Sequence, residues 1–119
     1  MPRIVRLVHE PTGRVLGDRI QVADTFWTRF RGLMLRRPLQ PGEGLLIEPC
    51  SSIHMLFMRF PIDAVFLDAG GAVIEIAARV KPWLGIATAK GARAVVELPA
   101  GAAAALQPGD LLRQEPPTA

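Results

Sequence analysis

The densest group of chemically reactive side chains lies between residues 50 and 59. Cys50, His54 and Met58 recur at every fourth position, and even-numbered residues share one face of a β-strand. All three are soft or borderline metal ligands, which would suit copper or zinc. Four residues of strand span about 13 Å, however, whereas the ligands of one ion lie about 2 Å from it. The spacing therefore predicts no metal site and favours Cys50 and Met58 as core residues.

A nucleophile pair is the sharpest enzymatic interpretation of the same segment. Cys50 could be the nucleophile with His54 as its base and Asp63 orienting the imidazole, if thiol and imidazole lie within hydrogen-bond reach. No signature of cysteine hydrolases surrounds Cys50, and lone cysteines are commonly inert core residues. A small hydrolase or transferase that uses His54 with Cys50 or Asp63 is therefore kept as an alternative function.

Asp63 is the most informative single position. It follows Pro61 and opens the most apolar segment of the chain, where a carboxylate without a partner would be costly. We expect its partner to be Arg59, Arg31 or a set of backbone amides. Two roles are open: a buried carboxylate that pins the turn before the strand, or a polar anchor at the floor of a ligand cleft beside His54 and Arg59.

Two further features could contact a ligand or partner. Trp83 stands in a polar loop, where a tryptophan is either a stacking platform or half-buried packing. Several arginines follow residue 28 with no acid between Thr25 and Gly42. This is typical of a solvated helix face but would also suit an anionic ligand, an acidic partner or a phosphate backbone. The candidate ligand-binding residues are His54, Met58, Arg59, Asp63 and Trp83, and the candidate anion or partner contacts are Arg29, Arg31 and Arg36.

The elements that must position these residues are mainly strands. Residues 3–9 and 14–22 are rich in β-branched residues and flank the turn signal Pro11-Thr12-Gly13, which predicts a hairpin. Later segments are short and apolar, or alternate between apolar and polar residues as a half-buried strand does. These further strands are predicted over residues 44–47, 52–58, 63–68, 72–80, 93–98 and 111–114.

One prominent helix is expected over residues 25–37. Asp24 or Thr25 can cap its start, and Pro38 stops it. The spacing i, i+4, i+7, i+8 of one helical face is met by Phe26, Phe30, Leu33 and Met34. About eight short strands with one helix predict a mainly β fold, either a β-sandwich or a partly closed barrel.

Length and composition exclude several classes of protein. The 119 residues form one domain, 1–119, with a tail at 115–119 that we expect to be disordered. The longest apolar run, 102–106, is far shorter than the roughly 20 residues of a membrane span. A net charge of +3 carries no specific signal for nucleic acid. The N-terminus lacks the apolar core of a signal peptide, which predicts a cytoplasmic protein.

Several motifs taken together resemble a known family. They are RGLM at 31–34, GLLI at 44–47, SIHM at 52–55, FPIDAVFLD at 60–68, VELPAG at 96–101 and GD at 109–110. In order and spacing they are similar to the family catalogued as domain of unknown function 192, from about residue 22 to 112. The resemblance implies a single, mainly β domain with one prominent helix and implies no activity. Many relatives look exported or membrane-tethered, and this chain differs from them in lacking a leader.

The function we predict from these residues is binding without catalysis. No motif with catalytic spacing survives the geometric test, and none predicts a cofactor, yet polar residues gather around one apolar pair of strands. We expect a ligand-binding or accessory domain with a cleft near His54, Arg59 and Asp63 that takes a small ligand. Besides the hydrolase or transferase, the other alternative is a module that binds a protein partner through the arginine-bearing helix.

Overall fold

The computed structural model describes residues 3–117, apart from the side chain of Phe26. Strands dominate this part of the chain, and a mainly β fold is confirmed. The strands are β1 Arg3–His9, β2 Arg14–Ala23, β3 Glu43–Ile47, β4 Ser52–His54, β5 Ile62–Leu67, β6 Val73–Val80, β7 Ile86–Thr88, β8 Ala94–Pro99 and β9 Leu112–Glu115, and the helix α1 is Phe26–Arg31.

Seven strands form one sheet in the order β6-β5-β8-β3-β2-β1-β9, and β4 pairs with β7 in a small second sheet. The large sheet curls into a half-barrel, which confirms the partly closed barrel. The predicted hairpin is present as β1 and β2. Only β2 and β3 pair in parallel within the described sheet, because the segment containing α1 carries the chain back to the start of the next strand.

Two neighbouring inner strands, β5 and β8, separate two apolar clusters. Every residue of Ile62–Leu67 is buried, and alternate residues of a strand point to opposite faces. Val65 and Val96 pack in the first cluster with β1 and β2. Phe66 and Val95 pack in the second cluster, which is covered by the segments after α1 and around β4. The second face is where the cleft described below is found.

The helix is shorter than predicted and ends at Arg31 instead of residue 37. Thr25 caps its start, with its hydroxyl accepting from the Thr28 amide at 3.1 Å. Gly32 then adopts φ +49° and ψ −130°, a conformation that an L-residue rarely adopts and that ends the helical turn. The Leu35 amide donates to the Phe57 carbonyl at 2.8 Å, so the chain after Gly32 is bound to a different segment of the molecule.

The predicted strand over 52–58 is also shorter, and it ends at His54. Residues 55–58 turn, with the Met58 amide donating to the Met55 carbonyl at 3.0 Å. The partner strand Ile86–Thr88 lies between residues 80 and 93, where no strand was predicted. At the other end of the chain, Glu115 closes β9, and residues 118–119 of the predicted tail lie outside the described residues. Between residues 3 and 117 no helix is long and apolar enough to cross a bilayer.

Candidate functional site

A small cleft lies between the end of α1 and the second face of the sheet, and we call it the α1 cleft. Its volume is about 60 Å³, which is room for a few atoms of a ligand or a few waters. Four separate segments of the chain meet there: the helix end, β3, the β4 region and β8. The lining residues with polar or reactive side chains are Arg29, Arg31, Cys50, Ser52, His54 and Glu97.

Glu97 lies deepest among the polar residues of this cleft. Its residue is only 4% exposed, and within the described structure its Oε1 atom has no hydrogen-bond partner. Burial raises the pKa of the Glu97 carboxyl to about 7. In the predicted strand 93–98, alternation of residues would place Glu97 on the face opposite Val96 and Leu98. It is buried because β8 pairs with β3 and β5 in the middle of the sheet, where both faces are covered.

Arg29 supplies an unpartnered donor to the same cleft. Its Nη1 atom donates to the Pro49 carbonyl at 3.3 Å, while its buried Nε has no acceptor among the described atoms. No salt bridge is formed between Arg29 and Glu97 in the described part of the chain. The cleft therefore holds one unpartnered donor and one unpartnered acceptor.

Cys50 and His54 share the cleft but do not form a nucleophile pair. The Cys50 thiol donates to the Ser52 carbonyl at 3.1 Å, and burial, with a smaller contribution from the Glu97 charge, raises the pKa of that thiol. His54 is exposed, and its Nδ1 accepts from the Leu56 amide at 3.2 Å. Over residues 3–117 no three His, Cys, Asp or Glu side chains converge closely enough to hold a metal ion.

Asp63 lies on the opposite face of the sheet from Glu97. It is 1% exposed, and its carboxylate accepts from the amides of Arg79 at 2.9 Å, Gly101 at 3.0 Å and Ala103 at 3.0 Å. The backbone-amide alternative for its partner is thus the one found. Because every one of these contacts is to the main chain of β6 or of the segment after β8, the geometry fits the buried structural role.

The remaining candidate residues are divided among different surfaces. Met58 is buried and lines the α1 cleft. Arg59 is exposed, and the Trp83 ring packs edge-on against Phe57 with ring centroids 5.4 Å apart. Arg36 donates to the Gln21 side chain at 3.1 Å in a neighbouring groove between α1 and β2, which Arg31 also lines. The structure therefore brings His54 and Met58 to Arg29 and Arg31, and places Arg59, Asp63, Trp83 and Arg36 elsewhere.

The functional candidate missed from the sequence is Glu97. Its signal was an acid in the middle of the short apolar run Ala-Val-Val-Glu-Leu, where burial of a charged group needs an explanation. A second missed cluster is formed by His9, whose ring contacts Asp110 and Thr12 at 2.8 Å each. This carboxylate–imidazole–hydroxyl chain is nearly buried and ties the β1–β2 turn to the segment before β9, so we assign it a structural role.

Comparison with known sequences gives consistent matches. Residues 7–114 match the family described as "Uncharacterized ACR" and designated domain of unknown function 192, or DUF192. The chain is similar to a UPF0127 protein of Thermococcus sibiricus, with 37% identity over 102 residues that cover 80% of this chain and 64% of that protein. It is 31% identical over 116 residues to a UPF0127 protein of Thermococcus kodakarensis, covering 92% and 73%. The chain thus spans under two thirds of the first protein's length.

Two crystal structures share the fold. One is a protein of Sinorhizobium meliloti provisionally described as a transcription regulator, with a TM-score of 0.82 and 26% identity, covering 96% of this chain and 94% of that chain. The other is a protein of unknown function from Novosphingobium aromaticivorans, with a TM-score of 0.80 and 28% identity, covering 92% and 83%. The likeness extends over nearly the whole of this chain in both cases.

Proposed function

Because this chain belongs to the DUF192 family, whose members are described as uncharacterised, we propose a function from the α1 cleft itself. The protein is a binding domain without catalytic activity. Its ligand presents a hydroxyl or primary amide group that enters the cleft between α1 and the sheet. The observation that carries this proposal is the Glu97 Oε1 atom, which is buried at the cleft without a hydrogen-bond partner.

The chemistry of the two unpartnered atoms selects the ligand group. The Nε–H of Arg29 can only donate, and the carboxylate form of Glu97 can only accept. A hydroxyl or primary amide both donates and accepts, so one such group could accept a hydrogen bond from Arg29 and donate one to Glu97. A carboxylate ligand could accept from Arg29 but would be repelled by the Glu97 charge. An ammonium ligand would be repelled by the guanidinium groups of Arg29 and Arg31.

The energetic argument points the same way. A buried polar atom without a partner destabilises the folded state by about 1–3 kcal/mol. Asp63, which is buried to a similar extent, is fully hydrogen-bonded by the fold. The fold supplies no such partners to Glu97 Oε1 or Arg29 Nε, and a ligand that supplied them would recover that free energy on binding. His54 and Arg31 lie on the walls of the cleft, where they can contact the rest of the ligand.

A thermal-shift measurement with small probes tests the proposal. The probes are D-glucose, D-ribose, L-glutamine and nicotinamide, which carry hydroxyl or amide groups, and betaine, which carries neither. We expect a rise in melting temperature with at least one of the first four and none with betaine, by mass action on the folded state. The same rise should be absent in Glu97→Met and retained in Arg59→Gln, which changes an exposed residue outside the cleft.

Two results would contradict this function. One is an unchanged melting temperature with all four hydroxyl and amide probes. The other is a rise that Glu97→Met retains in full, because the ligand would then bind at a different place on the molecule.

A small hydrolase or transferase is the second candidate, and the pKa of Glu97 is what favours it. A carboxyl group with a pKa of about 7 in a cleft is suited to general acid–base catalysis, and Cys50 and His54 line the same cleft. Hydrolysis of p-nitrophenyl acetate that falls about tenfold or more in both Glu97→Gln and Cys50→Ser would favour the enzyme. Equal rates in all three proteins would leave binding as the function.

A further inference from the structure

The charges of this chain are segregated along the sequence. The three segments 25–42, 49–62 and 81–93 carry eight of the 14 lysines and arginines and none of the 11 acids. The rest of the chain therefore carries six basic residues and all 11 acidic ones. The modest net charge of +3 conceals a strongly basic part and an acidic remainder.

These three segments are joined to one another in the fold. The Leu35 amide donates to the Phe57 carbonyl, and the Trp83 amide donates to the Met55 carbonyl, each at 2.8 Å. Strands β4 and β7 pair the second segment with the third. The Arg29 guanidinium donates to the Pro49 carbonyl and links the first segment to the second. Because these contacts join the three segments, we take their exposed surface together and call it the basic face.

The basic face also carries most of the large apolar side chains that the described structure exposes. Eight of the 11 exposed large hydrophobic residues lie on it. Leu84 is 85% exposed and Ile86 is 77% exposed. Side chains that are this exposed contribute little to the packing of the fold. The eight residues are Trp27, Phe30, Leu35, Leu56, Phe57, Trp83, Leu84 and Ile86.

From this combination we propose that the basic face binds the surface of an anionic membrane, an inference independent of the function proposed for the cleft. Tryptophan, phenylalanine and leucine insert at the level of lipid headgroups, and flanking lysines and arginines are attracted to anionic lipids. The turn at Trp83 and Leu84 is the inserted tip, with Lys81 beside it. Arg31 and Arg59, which are both exposed, contact the headgroups.

The same observations disfavour two other occupants. Single-stranded nucleic acid binds on aromatic platforms and basic grooves. Binding of this kind would not bury the highly exposed aliphatic side chains of Leu84 and Ile86. In a symmetric dimer the same patch would meet itself, which would bring the basic residues of both copies together with no acid on the three segments to separate them. An anionic lipid surface complements the apolar and the basic side chains at once.

Vesicle co-sedimentation tests this proposal with the full chain. We expect binding to phosphatidylcholine vesicles that contain about 30% phosphatidylserine, and none to pure phosphatidylcholine. Binding should weaken as salt is raised, because the electrostatic attraction is screened. Leu84→Ser should reduce the affinity about tenfold by removing one inserted side chain, and Lys81→Gln should reduce it roughly fivefold.

The matched controls are exposed residues outside the basic face. Val15→Ser and Arg14→Gln change the same residue classes on β2, and they should leave vesicle binding unchanged. All four positions are exposed, so the variants should keep the wild-type circular dichroism spectrum.

Several results would overturn the membrane proposal. One is no binding to the phosphatidylserine vesicles, and another is an equal loss of binding in the two controls. Tight binding of single-stranded oligo(dT) that Leu84→Ser leaves unchanged would assign the face to nucleic acid. A dimer in sedimentation velocity that Leu84→Ser dissociates would assign it to a second copy of the chain.

Discussion

Asp63 and Glu97 are both almost completely buried, but the fold treats their carboxyl groups differently. Three backbone amides donate to Asp63, and these bonds hold β6 and the segment after β8 against the start of β5. Glu97 Oε1 receives no such donor from the described residues. A buried carboxylate with its hydrogen bonds complete stabilises a fold, and one without them destabilises it. This difference is the reason for assigning Asp63 a structural role and for proposing a functional one for Glu97.

Replacing Glu97 by methionine should therefore stabilise the protein. Methionine has a similar length and removes the unpartnered carboxyl oxygen from the cleft. We expect the free energy of unfolding, measured by urea denaturation at about pH 8, to rise by about 1–3 kcal/mol. A loss of stability in this variant would show that Glu97 is needed by the fold, and the cleft proposal would lose its supporting observation.

The opposite sign is expected for Asp63→Asn. The asparagine amide can present only one oxygen, and its NH₂ group would face backbone donors. Because hydrogen bonds to a charged group each contribute about 1.5–3 kcal/mol, we expect a loss of stability in that range in the same urea experiment. Equal stability of the variant and the wild type would mean that the three amide contacts are unimportant.

Glu97 should also make stability depend on pH in a defined window. Burial raises its pKa from 4.5 to about 7 in the folded state, so the folded chain holds a proton that the unfolded chain has released. Unfolding stability should fall as pH rises from about 4.5 to about 7 and then level off. From those two pKa values the total change is on the order of 3 kcal/mol.

Urea denaturation at a series of pH values, repeated with Glu97→Met, isolates this contribution, because all other groups remain in the variant. The Arg37 hydrogen bond lowers the pKa of Glu43 to about 2, so Glu43 changes the stability only below about pH 4.5. A difference between the two proteins that does not change with pH would contradict the raised pKa.

At the scale of elements, the length of α1 decides whether the cleft exists. The apolar spacing of residues 26–34 predicts a helix that continues to residue 37. The helix ends at Arg31, and Gly32 takes a backbone conformation with φ +49° and ψ −130°. This turn places Leu33 in the second apolar cluster and leaves Arg29 and Arg31 beside Glu97 in the lining of the cleft. A helix that continued past Gly32 would carry Leu33 in a different direction.

Gly32→Ala tests the role of this turn. A Cβ atom at this position has space, since its nearest neighbour would be Glu97 Oε1 at 4.0 Å, but the backbone angles are unfavourable for alanine. We expect the free energy of unfolding, measured by urea denaturation, to fall by about 1–3 kcal/mol. The control is Gly70→Ala, where φ is not in the left-handed region and the nearest contact would be an ordinary 3.5 Å. Equal effects at both positions would mean that the angles of Gly32 are not restrictive.

At the scale of the whole molecule, residues from the two ends of the chain close the sheet. Strand β1 pairs with β9, and residues such as Arg6 and Glu115 are opposite each other across the register and form an ion pair. The nearly buried His9 adds a contact with Asp110 at 2.8 Å. Contacts between such distant residues form only after most of the chain is ordered.

Asp110→Ala should weaken this closure. The Asp110 carboxylate accepts from the Gln107 amide at 3.1 Å as well as contacting His9, so removing it leaves a nearly buried imidazole without that partner. We expect a clear loss of stability in urea denaturation, because the imidazole loses a hydrogen-bond partner. Asp24→Ala is the control, because exposed Asp24 only approaches Arg3 at 4.0 Å and such surface pairs contribute less than about 1 kcal/mol. Equal losses in the two variants would contradict the proposed tie.

The amino-acid sequence alone was sufficient to identify the family and to predict a mainly β fold and most of the strands. The predicted hairpin over 3–9 and 14–22 and the buried strand near 63–68 agree with β1, β2 and β5. These features were predictable because turn residues and the two-residue period of a strand act over a few neighbouring positions. The motifs at 31–34, 60–68, 96–101 and 109–110 identified the DUF192 family when taken together, and each of them involves only a few neighbouring positions.

The tertiary structure decided everything that depends on distant contacts. The sequence singled out Asp63 as the acid of interest, but which buried acid lacks hydrogen bonds depends on the backbone of β6 and on the segment after β8. The end of α1, the turn after His54 and the presence of Glu97 and Arg29 in one cleft likewise depend on how separate segments pack. A pattern of residue types carries the local preference of the chain. Whether a buried polar atom finds a hydrogen-bond partner, and whether the three basic segments meet, is decided only when distant parts of the chain pack together.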